Sequence, residues 1–381
     1  MNRRLRAPGV LALILAAGLA TPAPAQQSVG VGVEYQGFTF EEGLGASAAQ
    51  LLLFPVAVRL PAGSLTFDVY AAWAQGKVER EDVSYTLQGP VDTRVKASWQ
   101  ATPWALLSVG ASLPTGNSTH DGEEAVVASV LAMDLLGFRE ATWGTGAQIT
   151  TSLATAMRAG GWGIGIAGAY AVNNEFEPSA EMDLRYQPGN EARVRIGLDR
   201  NIGTNTFTAG LTFMTFAADE AEDPTNRFNI FQAGNRFRLD ATYAFRGGGG
   251  VWTLYAADLW REHGDLTPII TNDVGAIVGD TSIVMPSQNL IVAGMIGAVA
   301  LGSKTFRPQV DFKLQDREEV DGKNEGSGWL LSAGGDLPLR LFGSWDFFPK
   351  AQVTIGAVKD ATGTSRQVTA AEFSGTIRWG F

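Results

Sequence analysis

The chain has 381 residues, 46 of them glycine, and it contains no cysteine, so a disulfide framework is excluded. It carries 29 basic and 39 acidic residues, and this acidic balance disfavours nucleic acid as a partner. The first 25 residues hold three of the basic residues and none of the acidic ones, which leaves positions 26–381 with a net charge of −13.

The N-terminal segment has the three parts of a secretory signal. Three arginines in the first six residues form a basic stub, an apolar run covers 10–20, and the sequence APA at 23–25 places small residues at a cleavage site. The apolar run is too short to span a membrane. We therefore interpret residues 1–25 as a signal peptide that is removed on export, and residues 26–381 as one domain.

The remaining sequence lacks a stretch that could form a membrane helix. The longest apolar segment, LIVAGMIGAVAL at 290–301, has 12 residues, whereas a spanning helix needs about 20. An exported, glycine-rich chain of this kind is either a periplasmic β protein or an outer-membrane barrel.

Apolar and polar residues alternate along most of the chain. The segments VDTRVKASW (91–99), NRFRLDATYAF (235–245) and KTFRPQVDFKLQ (304–315) each place apolar side chains on one face and charges on the other. Such segments run for roughly 9–14 residues, longer than the ~5–6-residue strands of soluble sandwiches. Tryptophans gather near their ends, as at a membrane boundary. The pattern predicts an all-β fold, a transmembrane antiparallel up-and-down β-barrel.

The connections between the predicted strands are of two kinds, as in outer-membrane barrels. Short turns alternate with long polar connections, and the long ones should face outside. A raw count gives seventeen strands, but a bacterial single-chain barrel needs an even number. Counts from the two ends disagree between 174 and 205, so we predict sixteen strands, with fourteen or eighteen open. The predicted long connections are 76–90, 114–142, 218–231, 263–286 and 317–325.

The segment FSGTIRWGF alternates to the last residue of the sequence. Phe373, Ile377, Trp379 and Phe381 share one apolar face. The segment resembles the assembly signal that outer-membrane barrels share, and the resemblance implies the barrel assembly machinery as a partner. We expect Phe381 to close the barrel against the first strand, near Val29 to Tyr35.

Residue types that could carry catalysis or bind metal are present only in weak patterns. Ser118 to Asp121 brings a hydroxyl, His120 and a carboxylate together. A catalytic triad, however, is defined by its three-dimensional geometry, which adjacent loop residues rarely adopt, and Ser, Thr and Asp are common in loops because they favour turns. The acidic segments 218–223 and 316–325 lack the ligand spacing of a calcium loop, and solvated loops are the simpler interpretation. We predict no enzyme activity, no metal site and no cofactor.

The inward faces of the predicted strands carry many charges, and burying them without partners would cost several kcal/mol each. A water-filled pore explains these charges, since about 16 to 18 strands leave an aqueous channel. A closed barrel held by a ladder of salt bridges is the alternative. The predicted pore-lining residues are Arg94, Lys96, Arg185, Arg193, Arg195, Arg236, Arg238, Asp240, Asp311 and Lys313.

Two neighbouring strands, near 144–156 and 162–170, instead carry small inward residues, which leave space in the lumen. The connection just before them, 114–142, contains apolar residues at helical spacing. These residues are Val126, Val127, Val130, Leu131, Leu135 and Leu136. We predict that this loop folds into the lumen, packs against the two small-residue strands and constricts the pore. An external cap over the barrel mouth is the alternative.

The predicted constriction has acidic residues on the loop and basic residues on the wall. Asp121, Glu123 and Glu124 lie at the start of the helical pattern, where they are available to face arginines across the pore. Those arginines are Arg193, Arg195, Arg236 and Arg238.

The segment SWQATPWALLSVGASLPTGNS at 98–118, with DTR before it and 144–173 after it, resembles outer-membrane transporters of the meta-pathway phenol-degradation type. The resemblance covers residues 91–173. It implies uptake of small, often aromatic or apolar, solutes, and it carries over no catalytic residue.

Two functions follow from these observations. The first is a channel or transporter in the bacterial outer membrane, with lipid around it and small-molecule solutes passing through it. The second is a barrel with a surface, adhesion or structural role and no open pore. The identity of the solute and the charge preference are left open, because the lumen carries charges of both signs. The oligomeric state is left open because lipid-facing and subunit-facing surfaces are both apolar.

Overall fold

The computed structural model describes residues 27–180, 184–222, 227–267, 269–271, 277–279, 282–320 and 324–380. The predicted signal peptide and Phe381 lie outside these described residues, so both stay predictions. No helix in the described ranges is long and apolar enough to cross a membrane.

In the described part of the chain, sixteen strands form one closed antiparallel barrel, as the alternation predicts. The first eight are β1 (Ser28–Phe40), β2 (Ala48–Ala62), β3 (Leu65–Arg80), β4 (Val83–Pro90 and Thr93–Thr102), β5 (Ala105–Leu113), β6 (Gln148–Ala159), β7 (Trp162–Asn173) and β8 (Glu191–Ile202).

The other eight strands follow the same up-and-down order. They are β9 (Asn205–Phe216), β10 (Arg236–Gly247), β11 (Gly250–Arg261), β12 (Gln288–Leu301), β13 (Lys304–Arg317), β14 (Gly328–Asp336), β15 (Trp345–Lys359) and β16 (Ser365–Gly380). Closure is complete along β1, whose residues pair with β16 from Ser28 opposite Gly380 to Phe40 opposite Val368. The barrel therefore has no open edge strand at this seam.

The ambiguity between 174 and 205 has a structural cause. Only Glu191–Ile202 of this region belongs to the barrel wall, where it pairs with β7 and β9. Arg185 lies in a short strand of a second, smaller sheet, so its prediction as a pore-lining residue is wrong. The five described strands of that sheet are Arg185–Gln187, Asp219–Glu222, Arg227–Gln232, Gly264–Leu266 and Ile283–Met285. The alternating segment AEMDLRYQ therefore ends in a strand, Arg185–Gln187, that lies outside the barrel wall.

The short and long connections lie at opposite ends of the barrel. Tight turns with left-handed glycines, such as Gly63 (φ +62°) and Gly302 (φ +62°), join strands at one end. In bacterial barrels this end faces the periplasm. The segment predicted as a long connection at 76–90 is instead an extension of the wall, since β3 continues to Arg80 and β4 begins at Val83.

Alternation assigns the two faces of the wall as the sequence predicts. In β10, Leu239 points outward and is exposed, while Arg238 and Asp240 point into the barrel. Large apolar side chains are exposed around the outside, a surface that is stable in lipid but not in water. Trp345 and Trp379 stack on the outside near the short-turn end, with ring centroids 5.7 Å apart.

The long connection between β5 and β6, residues 114–147, is called the insertion below. It contains the helix α1 (Gly122–Leu131), which packs on the inner faces of β2, β3 and β4. A cluster of buried apolar residues thus lies inside the barrel rather than between barrel and lipid.

The face assignment predicts opposite effects for two neighbouring substitutions near the middle of β6. Leu153 points outward and is 52% exposed, whereas Ala154 points into the lumen beside Ala167. We expect Leu153→Arg to lower the free energy of unfolding by ~2–4 kcal/mol, because it puts a charge into hydrocarbon. Ala154→Arg should fold like the parent, as measured by urea unfolding in lipid vesicles. Equal destabilisation by both variants would contradict the assignment.

Candidate functional site

A buried carboxylate holds the two ends of the insertion together. Asp92 lies at the break between the two segments of β4, and its Oδ1 accepts a hydrogen bond from the Gly116 N–H at 3.0 Å. Its Oδ2 accepts from the Thr145 N–H at 2.9 Å. The two hydrogen bonds connect both ends of the insertion to one side chain of the wall.

The two ends of the insertion also lie close to each other. A Cβ on Gly144 would lie 2.8 Å from backbone atoms of Gly116 and Asn117, so a larger residue does not fit. The adjacent Trp143 is fully buried, and its indole N–H donates to the Ala74 carbonyl at 3.0 Å. The insertion therefore leaves the wall along a fixed path.

The helix of the insertion begins with a capping box. The Asp121 carboxylate accepts a hydrogen bond from the Glu124 N–H at 2.8 Å, and the Glu124 side chain accepts from the Asp121 N–H at 3.4 Å. Glu124 also lies 3.5 Å from His120. These carboxylates start the helix and do not face the arginines of the wall, contrary to the sequence prediction. The third, Glu123, is exposed in the first turn.

The apolar side of the helix packs on the strands before the insertion, not on β6 and β7 as predicted. A Cβ on Gly76 of β3 would lie 2.7 Å from Leu131 and 2.9 Å from Val127, so helix and strand touch there. Buried Leu51, Leu53, Ala74, Val78 and Leu87 complete the contact. The small side chains of β6 and β7 offer little apolar area, whereas these strands offer large aliphatic groups.

After the helix, the insertion crosses the lumen and reaches the far wall. The Gln288 side-chain amide of β12 donates to the Asp134 carboxylate at 2.7 Å. The Lys313 ammonium of β13 donates to the carbonyls of Leu135 and Leu136, each at 3.4 Å. Lys313 therefore binds the backbone of the insertion, and the prediction that it lines the pore is wrong.

The insertion then returns to the first strands of the barrel. The Phe138 ring packs edge-on against Phe38 of β1 at 5.0 Å, and the Arg139 guanidinium pairs with Glu34. Glu140 accepts from Arg94 of β4 at 2.5 Å and from the Tyr70 hydroxyl at 3.1 Å. Since these contacts come from both sides of the barrel, the insertion lies inside it and is not an external cap.

The interior therefore has two unlike walls. The covered wall comprises the inner faces of β14–β16 and β1–β4 toward their long-connection ends, where apolar residues pack under the insertion. The open wall comprises the inner faces of β6–β11. On β6 and β7 it carries the small residues that the sequence analysis identified, namely Thr150, Ser152, Ala154, Gly163, Gly165, Ala167 and Ala169.

Arginines form an arc on and beside the open wall. The ladder puts Arg193 of β8 and Arg236 of β10 at one level, with Met214 between them. The same level continues through Arg261 of β11 and Gln288 to Arg317 of β13. Four arginines thus follow one another along one line of paired residues from β8 to β13.

A second pair of arginines lies one step closer to the short turns. Arg195 makes two hydrogen bonds to the Asp240 carboxylate, at 2.7 and 2.8 Å. The Nε of Arg238 lies 3.6 Å from the same carboxylate. Two guanidinium groups therefore share one carboxylate, which leaves a net positive charge on this part of the wall.

The carboxylate of the insertion that faces the arginine arc is Asp134. It lies within electrostatic range of Arg261, Arg236 and Arg317, and Arg261 also donates to its partner Gln288 at 2.8 Å. Burial raises the pKa of the Asp134 carboxyl above its ordinary value, while Arg261 and the Gln288 hydrogen bond oppose the rise. Sequence reasoning missed this residue because it considered only the carboxylates at the start of the helical pattern, Asp121, Glu123 and Glu124.

The other predicted pore-lining residues differ in their access to the lumen. The Arg94 side chain is 46% exposed despite its ion pair with Glu140, and Lys96 is exposed. Arg193 is 41% exposed and pairs with Glu191. Asp311 is buried and accepts hydrogen bonds from Gln309 and Gln352, so it faces inward without reaching open water.

Comparisons with known proteins give structural likeness alone. No family model and no curated protein matches the sequence. Similar solved structures include OccK9 of Pseudomonas aeruginosa (10% identity, 93% of this chain and 98% of that chain, TM-score 0.47), OccK2 of the same organism in complex with glucuronate (11%, 93% and 98%, 0.46) and the CymD monoaromatic hydrocarbon channel (9%, 93% and 89%, 0.43).

The hydrogen bonds of Asp92 predict that its removal loosens the insertion. Asp92→Ala leaves two backbone N–H groups without acceptors, at a cost of ~1–3 kcal/mol for each that stays buried. We expect faster proteolysis within residues 114–147 and a noisier single-channel current. Asp68→Ala is the control, because Asp68 is a half-exposed inward carboxylate that pairs with Arg59 at 3.7 Å. Identical behaviour of the two variants would count against the role of Asp92.

The raised pKa of Asp134 predicts a pH-dependent charge selectivity. Acidification should protonate Asp134 before ordinary aspartates, which removes a negative charge beside the arginine arc. The ratio of anion to cation permeability should therefore rise as the pH falls below neutral. Reversal potentials in Asp134→Asn should show a smaller rise over the same pH range, and Asp68→Asn should keep the parent response. An unchanged response in Asp134→Asn would refute the assignment.

Proposed function

We propose that this protein is a bacterial outer-membrane channel for the passive uptake of small solutes, with a pore that runs between the insertion and the open wall. The observation that carries the proposal is the unlike pair of walls. The insertion packs against one half of the interior, and charged side chains remain accessible on the other half.

Water in the lumen accounts for these charges better than a closed ladder of salt bridges. Many of the inward charges form salt bridges, as Arg195 does with Asp240, so part of the interior resembles such a ladder of salt bridges. Yet Arg94 and Arg193 keep nearly half of their side-chain surface exposed. Sixteen strands enclose more space than inward side chains fill, so solvent can reach these groups from the lumen.

The arginine arc supports a preference for anions. Four arginines lie at one level, and two more share Asp240 just below them. Such a wall raises the local concentration of small anions and disfavours cations. The sequence resemblance points to aromatic or apolar solutes, and this wall would select those that also carry a negative group.

A surface role remains the second candidate, and the smaller sheet supports it. Ile283 and Val284 of that sheet are exposed outside the barrel, where apolar side chains can contact a partner. A surface role gives no reason for an insertion that crosses the lumen. Lipid-bilayer recordings separate the two, because only the channel function predicts a steady conductance.

The anion preference predicts the effect of removing two arginines. The Arg236→Gln and Arg238→Gln double variant should lower the ratio of anion to cation permeability severalfold, measured from reversal potentials in a salt gradient. Arg200→Gln is the matched control, because Arg200 points outward and lies 5.0 Å from the Trp162 ring. A folded parent protein without conductance would overturn the channel function, and equal effects of both substitutions would overturn the selectivity.

A further inference from the structure

A second group of charges lies in the lumen on the short-turn side of the insertion. It is built on the inner faces of β13, β15 and β16 around Phe348, which points inward between Asp346 and Lys350. The guanidinium carbons of Arg378 and Arg307 lie 5.0 and 5.8 Å from the centre of the Phe348 ring. The ring thus supports two guanidinium groups at the periplasmic mouth.

Two of these charges are firmly paired. Arg307 makes hydrogen bonds from Nε to both oxygens of Asp336, at 3.0 and 2.9 Å. Lys350 donates to Glu372 at 2.9 Å. Both cations therefore have a carboxylate partner at hydrogen-bond distance.

Arg378 differs from these two cations. Its guanidinium lies 3.8 Å from Asp346, beyond hydrogen-bond distance, and its side chain is 54% exposed. Arg340 donates to the same carboxylate at 3.4 Å and from Nε to the Gly343 carbonyl at 3.0 Å, and its side chain is 69% exposed. Two guanidinium groups therefore share one carboxylate, and each has more donors than these contacts use.

The wall beside Arg378 leaves space for a ligand. Its ladder partner on β1 is Gly30, where an added Cβ would find its nearest neighbours at 3.9 Å. The next inward residue of β1, Gly32, lies opposite Thr376. An added Cβ on Gly32 would lie 3.0 Å from the Thr376 hydroxyl, so the uncovered flank of Arg378 is the one beside Gly30.

We infer that Arg378 and Arg340, with Phe348 as a support, form a carboxylate-binding subsite at the periplasmic mouth. The inference rests on the proposed channel function, since it gives an anionic solute a second contact after the arginine arc. A solute carboxylate can approach the guanidinium at hydrogen-bond distances of ~2.7–2.9 Å, shorter than those Asp346 provides. Binding at one exposed site is weak enough for the solute to leave.

The test is block of the channel current by a carboxylate. Benzoate and acetate are added in turn to the short-turn side of a planar bilayer that contains the parent protein, and the half-blocking concentration is measured. We expect Arg378→Gln to raise this concentration about tenfold, as for loss of one hydrogen-bonded charge pair. Phe348→Leu should raise it less, because the guanidinium loses only its support.

Two further variants keep the test decisive. Arg158→Gln is the matched control, because Arg158 is an exposed, inward arginine at the same end of the barrel on β6. It removes the same charge from the opposite wall and should leave the block unchanged. Arg340→Gln substitutes a residue of the two-residue strand Leu339–Arg340, which pairs only with the start of β15, and it should weaken the block even if Arg378→Gln fails to fold.

The outcomes separate the subsite from the channel function. A conducting, anion-selective parent whose block is the same in Arg378→Gln, Arg340→Gln and Arg158→Gln refutes the subsite and leaves the channel function standing. A folded parent that does not conduct refutes the channel function itself. A weaker block in the first two variants alone supports the subsite.

Discussion

Closure of the sheet is the constraint on which the rest of the molecule depends. In lipid every backbone N–H and C=O needs a partner, and a closed barrel supplies one without an edge. Pairing of β1 with β16 over its whole length meets that need. Sixteen strands, however, enclose more space than inward side chains can fill. The interior must therefore hold water, charges or another part of the chain, and the described residues place both charges and the insertion there.

The insertion divides that interior because its helix has one apolar side. Burial of Val127, Val130 and Leu131 stabilises the insertion only against a wall with apolar groups of its own. That requirement selects β2–β4 and leaves the arginines of β8–β11 facing the remaining space. Asp92 and Lys313 hold the segment where it leaves and where it crosses. The asymmetry of the pore follows from the packing of one helix.

The sequence predicted the wall better than the interior. Alternation identified both faces of β10, because Leu239 and Arg238 differ so clearly in polarity. Counting gave seventeen strands, and the requirement for an even number led to the sixteen that the structure has. It could not identify the wall under the helix, since QLLLF (50–54) in β2 is apolar on both faces. Arg185 was misassigned because alternation marks any strand, including one outside the barrel. Asp134 depends on a contact with Gln288, 154 positions away, which no local pattern records.

The central claim is that one half of the inner wall is open to water and the other half is covered by the insertion. The chain has no cysteine, so single cysteines can be introduced on the inner wall without a background reaction. Ala167 on β7 and Ala74 on β3 both point inward, and only Ala74 lies under the insertion. A charged, membrane-impermeant thiol reagent should modify Ala167→Cys quickly and lower its single-channel current, while Ala74→Cys stays unmodified. Fast modification of Ala74→Cys, or protection of Ala167→Cys, would contradict the account.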